Sequence, residues 1–243
     1  MIVATHQPHY LPWLGYLDRM QKADLFVVLD HVQFERRNYQ NRTRILLDGL
    51  PRWLTVPVVQ ASQLERVLDK RIDNPAGDDK KSWGLKHYQT LRHAYRDAPF
   101  FDVYGPELYA ILTSCPGRLV DIDQMTLDFL RQALGIHTPL VNSSDLDLRG
   151  ARSELILNLC LAVGADTYLA GMGGSRTYLD QAKFAEAGVR IAWQEFQHPV
   201  YSQCGGAAFV PGLSAVDLLF NHGPQSREIL HRRSHPRRIA EPA

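Results

Sequence analysis

The sequence predicts an α/β protein, a Rossmann-like parallel sheet carrying a β-hairpin excursion and a helical insertion. Three observations predict it. Short apolar runs rich in β-branched residues alternate with segments of helical periodicity at both ends of the chain, the pattern of βαβ units. Three helical segments follow one another between about 83 and 135 with no strand among them. Asp48-Gly49 separates two alternating runs, which marks a hairpin.

Residues 2–4 are short and apolar, as in a strand buried on both faces. Leu11, Leu14, Leu17 and Met20 repeat at helical spacing, and Pro12 suits a first turn, where its missing N–H costs nothing. Residues 25–29 form the second strand. The first thirty residues thus read strand, loop, helix, strand. Residues 31–60 read as an antiparallel excursion at one end of the sheet, and the polar stretch 61–82 as a plain surface connection, with an exposed mobile loop or lid as the other reading. The insertion comprises helices near 83–96, 99–114 and 118–134, the last stopped by Gly135. The α/β pattern then returns: a strand at 139–142, a helix at 153–163, a strand at 166–170, a glycine-rich turn at 171–176, a helix at 177–187 and a strand at 189–193. Ser214 caps a last helix through Phe220. Residues 1–231 make one domain, and the Arg/Pro-rich stretch 232–243 reads as a flexible tail.

With 243 residues, the chain can bury a large core without disulfides or metal staples. Its formal net charge of +1 gives no global field pointing to nucleic acid or to a membrane surface. Cys115, Cys160 and Cys204 are odd in number and scattered, with no CxxC, so neither a disulfide framework nor a zinc ribbon is indicated. The start of the chain lacks a basic segment followed by an apolar stretch, and no apolar run approaches a membrane span. The expected setting is the reducing cytoplasm, without a membrane partner.

The sharpest motif is His6-Gln7-Pro8-His9. Two histidines three apart, where the first strand enters the first helix, can reach one ligand. As imidazolium groups they would stabilise charge developing on a transferring phosphate. The placement resembles the HxGH motif of class I nucleotidylyltransferases, with Pro8 where that motif has Gly. Thr5 sits beside it. A metal centre on His6 and His9 would need a third ligand, which His31 or His198 could supply. In the turn after a later strand, Gly173, Gly174, Ser175 and Arg176 could cradle an anion with backbone N–H groups and a guanidinium fork. The run Arg36–Arg44 is basic, amide-rich and interleaved with Tyr39, which suits phosphate, sugar hydroxyls or RNA. Lys86 and His87 on the first insertion helix can face the site across a cleft. His198, Tyr201 and Gln203 lie in an irregular segment of the kind that lines sites. Asp217 and Asn221, one helical turn apart, suit capping or core hydrogen bonds.

The run Thr5–Tyr16 resembles the WbqC-like protein family. So do Asp30-His31-Val32-Gln33-Phe34, Asn38-Tyr39-Gln40-Asn41-Arg42, Trp83 with Lys86-His87, Ala98-Pro99-Phe100-Phe101, Tyr178-Leu179-Asp180, His198-Pro199 with Tyr201 and Gln203, and Leu213 through Asn221. Together they span roughly residues 2–223. Members of this family accompany bacterial O-antigen and polysaccharide genes, and a glycine-transferase role has been proposed for them. The resemblance therefore implies transfer of an amino acid or acyl group to an amine of a sugar or metabolite. Joined to the HxxH placement, it suggests an amide-forming transferase or ligase that uses ATP and Mg²⁺ through an acyl-adenylate. His6, His9, Lys86 and His198 are then the catalytic candidates. Thr5, Gly173, Gly174, Ser175 and Arg176 are the nucleotide candidates. Tyr10, Asp30, Gln33, Asn41, Arg42, His87, Tyr201 and Gln203 are the substrate candidates. Four other readings stay open: a nucleotidylyltransferase, an aminoacyl-tRNA-dependent transferase, a His-metal enzyme, and a non-catalytic glycan- or nucleotide-binding protein.

Overall fold

A computed structural model describes residues 1–60, 62, 64–74, 82–205 and 208–231. The expected tail at 232–243 lies outside the described residues. Five strands, β1 (Ile2–His6), β2 (Leu25–Val28), β5 (Leu140–Asn142), β6 (Thr167–Ala170) and β7 (Arg190–Trp193), form one parallel sheet in the order β5-β2-β1-β6-β7. β3 (Arg42–Leu47) and β4 (Leu50–Thr55) pair only with each other. The hairpin is therefore a separate two-stranded ribbon, not an extension of the sheet edge. Its turn has Asp48 at φ 52° and Gly49 at φ 73°, the positive angles of the type I′ turn that Asp-Gly favours.

The strand periodicity of two divides the core into two layers. Ala4, Phe26, Val28 and Leu169 face a large cluster that holds α1 (Leu14–Gln21), the three insertion helices and α8 (Ala215–His222). Val3, Val27, Tyr168 and Ala170 face a smaller cluster with Ile156, Leu159 and Cys160 of α5 (Ser153–Ala162) and Phe184. The insertion is α2 (Trp83–Tyr95), α3 (Phe101–Thr113) and α4 (Leu119–Leu134), close to the expected bounds. Gly135, at φ 63°, ends α4, and the Ile136 N–H donates to the Arg131 carbonyl as a left-handed cap requires.

Four expectations change. Pro12 precedes α1 rather than opening it, because Trp13 is extended and bridges to Ser214. Residues 64–74 are not a plain surface connection. Val67 and Ile72 are buried, and bridges tie Arg66 to Gln33, Ile72 to Val58 and Arg71 to Arg118. The helix expected at 177–187 is two short ones, α6 (Ser175–Tyr178) and α7 (Gln181–Glu186), because the Asp180 carboxylate accepts from the Lys183 N–H and starts a new helix. A final helix, α9 (Ser226–His231), follows α8 where none was expected.

Candidate functional site

Strand order reverses between β1 and β6, the switch point at whose strand C-termini parallel α/β sheets bind ligands. β1 stays paired with β2 as far as His6 opposite Val28, but its described pairing with β6 ends at Ala4 opposite Leu169. The two strands part there. Into the gap comes Arg19 from α1. Its Nη1–H donates to the Thr5 carbonyl at 3.3 Å, and its Nε–H to Gln194 Oε1 at 2.8 Å. Its Nη2 lies so close to Gly171, the first residue after β6, that a Cβ there would sit 2.2 Å away. Gly171 is a glycine because the guanidinium occupies its side-chain space.

Among the described residues, Arg19 has no ion-pair partner. The neighbouring carboxylate, Asp18, is fully buried and already bound, accepting from Lys22 Nζ at 2.9 Å and from Gln194 Nε2 at 2.7 Å. No carboxylate lies within ion-pair distance of Arg19 among the described residues. Burial pulls the Arg19 pKa down from its usual value. A largely buried guanidinium that, among the described residues, bonds a carbonyl and an amide but no carboxylate costs desolvation energy without the return of an ion pair, which an anion arriving from solvent would supply.

The histidines lie beside it. The His6 and His9 rings meet edge to face with centroids 4.4 Å apart, and Tyr16 touches both at 4.8 and 5.1 Å. His6 Nδ1–H donates to the Gln7 carbonyl at 3.1 Å, which leaves Nε2 with the lone pair in the neutral ring. Burial, His9 and Arg19 hold His6 well below the usual histidine range, and burial with Arg19 pushes His9 down to about 3. The expected imidazolium pair is therefore a neutral pair in the free protein. His9 Nδ1 and the Tyr16 hydroxyl are buried without partners. The basic run forms the roof: Tyr39 stacks on His9 at 5.4 Å and 22°, its carbonyl accepts from the Tyr10 N–H, and Gln40 Nε2 donates to Gln7 Oε1 at 2.9 Å.

The switch point thus gathers Thr5, His6 and His9 with Tyr39 of the basic run and Gly171 of the glycine-rich turn, and adds Arg19, Tyr16 and Gln194, which sequence reasoning left out of the site. Gly173 and Gly174 lie just beyond it with open space where a Cβ would be, so packing does not demand glycine there. α6, which they open, has four residues and no helix-terminal field worth invoking. Arg176 sits over Trp193 at 5.6 Å.

Other candidates lie elsewhere. Tyr10 is fully buried, its hydroxyl bonded to His87 Nδ1 at 2.9 Å, and both pack on Trp83, so this pair is core rather than substrate contact. Lys86, the residue before His87, is exposed on α2. The Asp30 carboxylate accepts from Ser143 Oγ, Ser144 N and Ser144 Oγ, which ties β2 to the turn after β5 and leaves little for a ligand. Asn41 Nδ2 donates to the Val56 carbonyl inside the ribbon. Tyr201 and Gln203 both donate to Asp217, as does Tyr95, so these form a buried hydrogen-bond cluster. Gln33 is exposed and bridged to Arg66. His198 stands among Phe196, Tyr201 and Phe209. His31 bonds Ser143 Oγ. Neither joins His6 and His9, and among the described residues no three His, Cys, Asp or Glu side chains are grouped to hold a metal.

The model of the WbqC-like protein family matches residues 7–229. The chain is also similar to a Mycobacterium tuberculosis (strain ATCC 25618 / H37Rv) protein named "Uncharacterized protein Rv1507c". Identity is 32% over 231 residues, covering 94% of this chain and 96% of the relative. No solved structure matches. Among the described residues no helix is long and apolar enough to cross a membrane.

Proposed function

Because the chain belongs to the WbqC-like protein family, we propose that it is an amide-forming transferase or ligase that binds the phosphates of a nucleotide in the β1/β6 crevice. One observation carries the reading: the Arg19 guanidinium, without a carboxylate among the described residues, stands beside two neutral histidines at the switch point of a parallel sheet. A guanidinium and two imidazoles suit phosphate oxygens better than a hard divalent cation. Mg²⁺ would therefore arrive on the nucleotide's own phosphates and neutralise part of their charge.

In this reading a carboxylate substrate attacks the α-phosphorus of ATP and pyrophosphate leaves. An amine of a sugar or metabolite then attacks the acyl carbon and AMP leaves. Arg19 holds the phosphate charge throughout. His6 Nε2, carrying the lone pair, takes up a proton as that charge arrives and donates it back to a phosphate oxygen. His9, held by Tyr39, keeps His6 in place and shares the anion. Amino-acid-dependent exchange of pyrophosphate with ATP, lost in His6→Ala and Arg19→Met, is the expected result. Absence of exchange together with absence of ATP binding by calorimetry would sink the reading.

A further inference from the structure

From His9 a strip of rings continues outward. His9 stacks on Tyr39, Tyr39 meets Trp53 of β4 at 5.3 Å, and the Arg42 guanidinium lies 4.1 Å from the centre of the Trp53 ring. The strip runs from inside to outside: His9 is 5% exposed and Trp53 is 43% exposed. The β-ribbon sets this geometry. Arg44 stands directly opposite Trp53 and Arg42 opposite Thr55, so the two arginines and the tryptophan share the outer face. Arg42 Nε is buried with no hydrogen-bond partner among the described residues, while another of its N–H groups donates to the Arg37 carbonyl. Arg36 and Arg37 are exposed alongside.

We propose that Tyr39, Trp53 and Arg42 form the base subsite for the nucleotide whose phosphates bind at Arg19; the inference rests on the phosphate reading of the crevice. Tyr39 already covers His9, and Pro8 beside it is buried, so a base cannot lie on the histidine loop itself. The next ring outward is Trp53. Trp53 stands two ring-to-ring contacts, of 5.4 and 5.3 Å, outward from His9. Indole and guanidinium planes are both good stacking surfaces for an aromatic base. A neutral sugar ring would also lie on an indole, but sugars are oriented by carboxylates and amides, and this face offers guanidinium groups. The ligand class assigned is therefore a purine or pyrimidine nucleotide, its base lying against the Trp53 ring and the Arg42 guanidinium plane.

The test compares ATP with inorganic tripolyphosphate by calorimetry on the full chain, using the wild type, Trp53→Ala, Trp53→Phe and Arg19→Met. Stacking on one aromatic ring is worth roughly tenfold or more in affinity. ATP should thus bind about tenfold or more tighter than tripolyphosphate. Trp53→Ala should erase that advantage and leave tripolyphosphate binding unchanged, while Trp53→Phe restores most of it. Arg19→Met should weaken both ligands. Because Trp53 is so exposed, its truncation leaves the ribbon's buried side intact, which circular dichroism checks. Equal binding of ATP and tripolyphosphate, indifferent to Trp53→Ala, would overturn the base subsite and leave the phosphate site standing. Failure of both ligands to bind would overturn the two together. A single-stranded oligoadenylate whose affinity grows with length and depends on Trp53, without preference for ATP over tripolyphosphate, would overturn the mononucleotide in favour of an RNA strand.

Discussion

Arg19 is one polar residue on an amphipathic helix, and nothing near it in sequence sets it apart. Its meaning comes from Gly171, Gln194 and the Thr5 carbonyl, groups that only the sheet order brings to it. The histidines were legible because the chemistry of a βα junction is local, whereas a charge left unpaired is a property of everything around it. Arg19→Met should abolish anion binding while leaving the melting temperature unchanged or raised, since it removes a buried charge that has no ionic partner among the described residues. Gly171→Ala separates the parts further. Its Cβ meets the tip of a flexible side chain rather than backbone, so the fold should lose little while the displaced guanidinium costs the anion site its affinity. Asp123 offers a third test. Its carboxyl is 2% exposed, neither oxygen has a hydrogen-bond partner, and burial raises its pKa well above the carboxylate range. A folded pKa above the unfolded one means that the native state binds the extra proton, so this group's stabilisation is present below about pH 4 and is lost as pH rises towards the folded pKa. Melting curves should show Asp123→Asn gaining on the wild type at pH 8 relative to pH 5.

At the scale of elements, the βαβ opening, the Asp-Gly hairpin and the three insertion helices were all legible, because each rests on local periodicity and a local stop signal. Residues 64–74 were not. Their polar sequence hides Val67 and Ile72, which are buried only because Arg66, Arg71 and Ile72 each bridge to a distant segment. The turn after β6 was legible as a turn but not as to its length, because the Asp180 cap divides the helix beyond it. The glycines of that turn give a clean separation of fold from function. Gly173 has no positive φ and open space around its missing Cβ. Gly173→Ala should therefore keep or raise stability, by about 0.4–1 kcal/mol through the unfolded chain. The same change should weaken ATP binding if the turn backs the phosphates. Thermal melts paired with titrations read both effects.

Across the whole molecule, the sheet order β5-β2-β1-β6-β7 is what makes the site. It sets β1 and β6 side by side with their described pairing ending at Ala4, and it places the part-buried His6 and the buried His9 at the end of β1. The same burial makes the fold sensitive to acid. His6 and His9 are held below the usual range, and burial pushes His87 down to about 4. With folded pKa values below the unfolded one of about 6.5, these groups favour the native state above that pH and oppose it as pH falls through the window beneath it. An anion at Arg19 should reverse the trend locally by raising the pKa of His6 and His9, so that binding takes up protons. The most direct test is calorimetric titration of ATP at pH 8, where a terminal phosphate with a second pKa of about 6 is already ionised, in two buffers of different ionisation enthalpy. Saturable binding with net proton uptake, lost in Arg19→Met, is the predicted result; no binding, or binding indifferent to Arg19→Met, would contradict it.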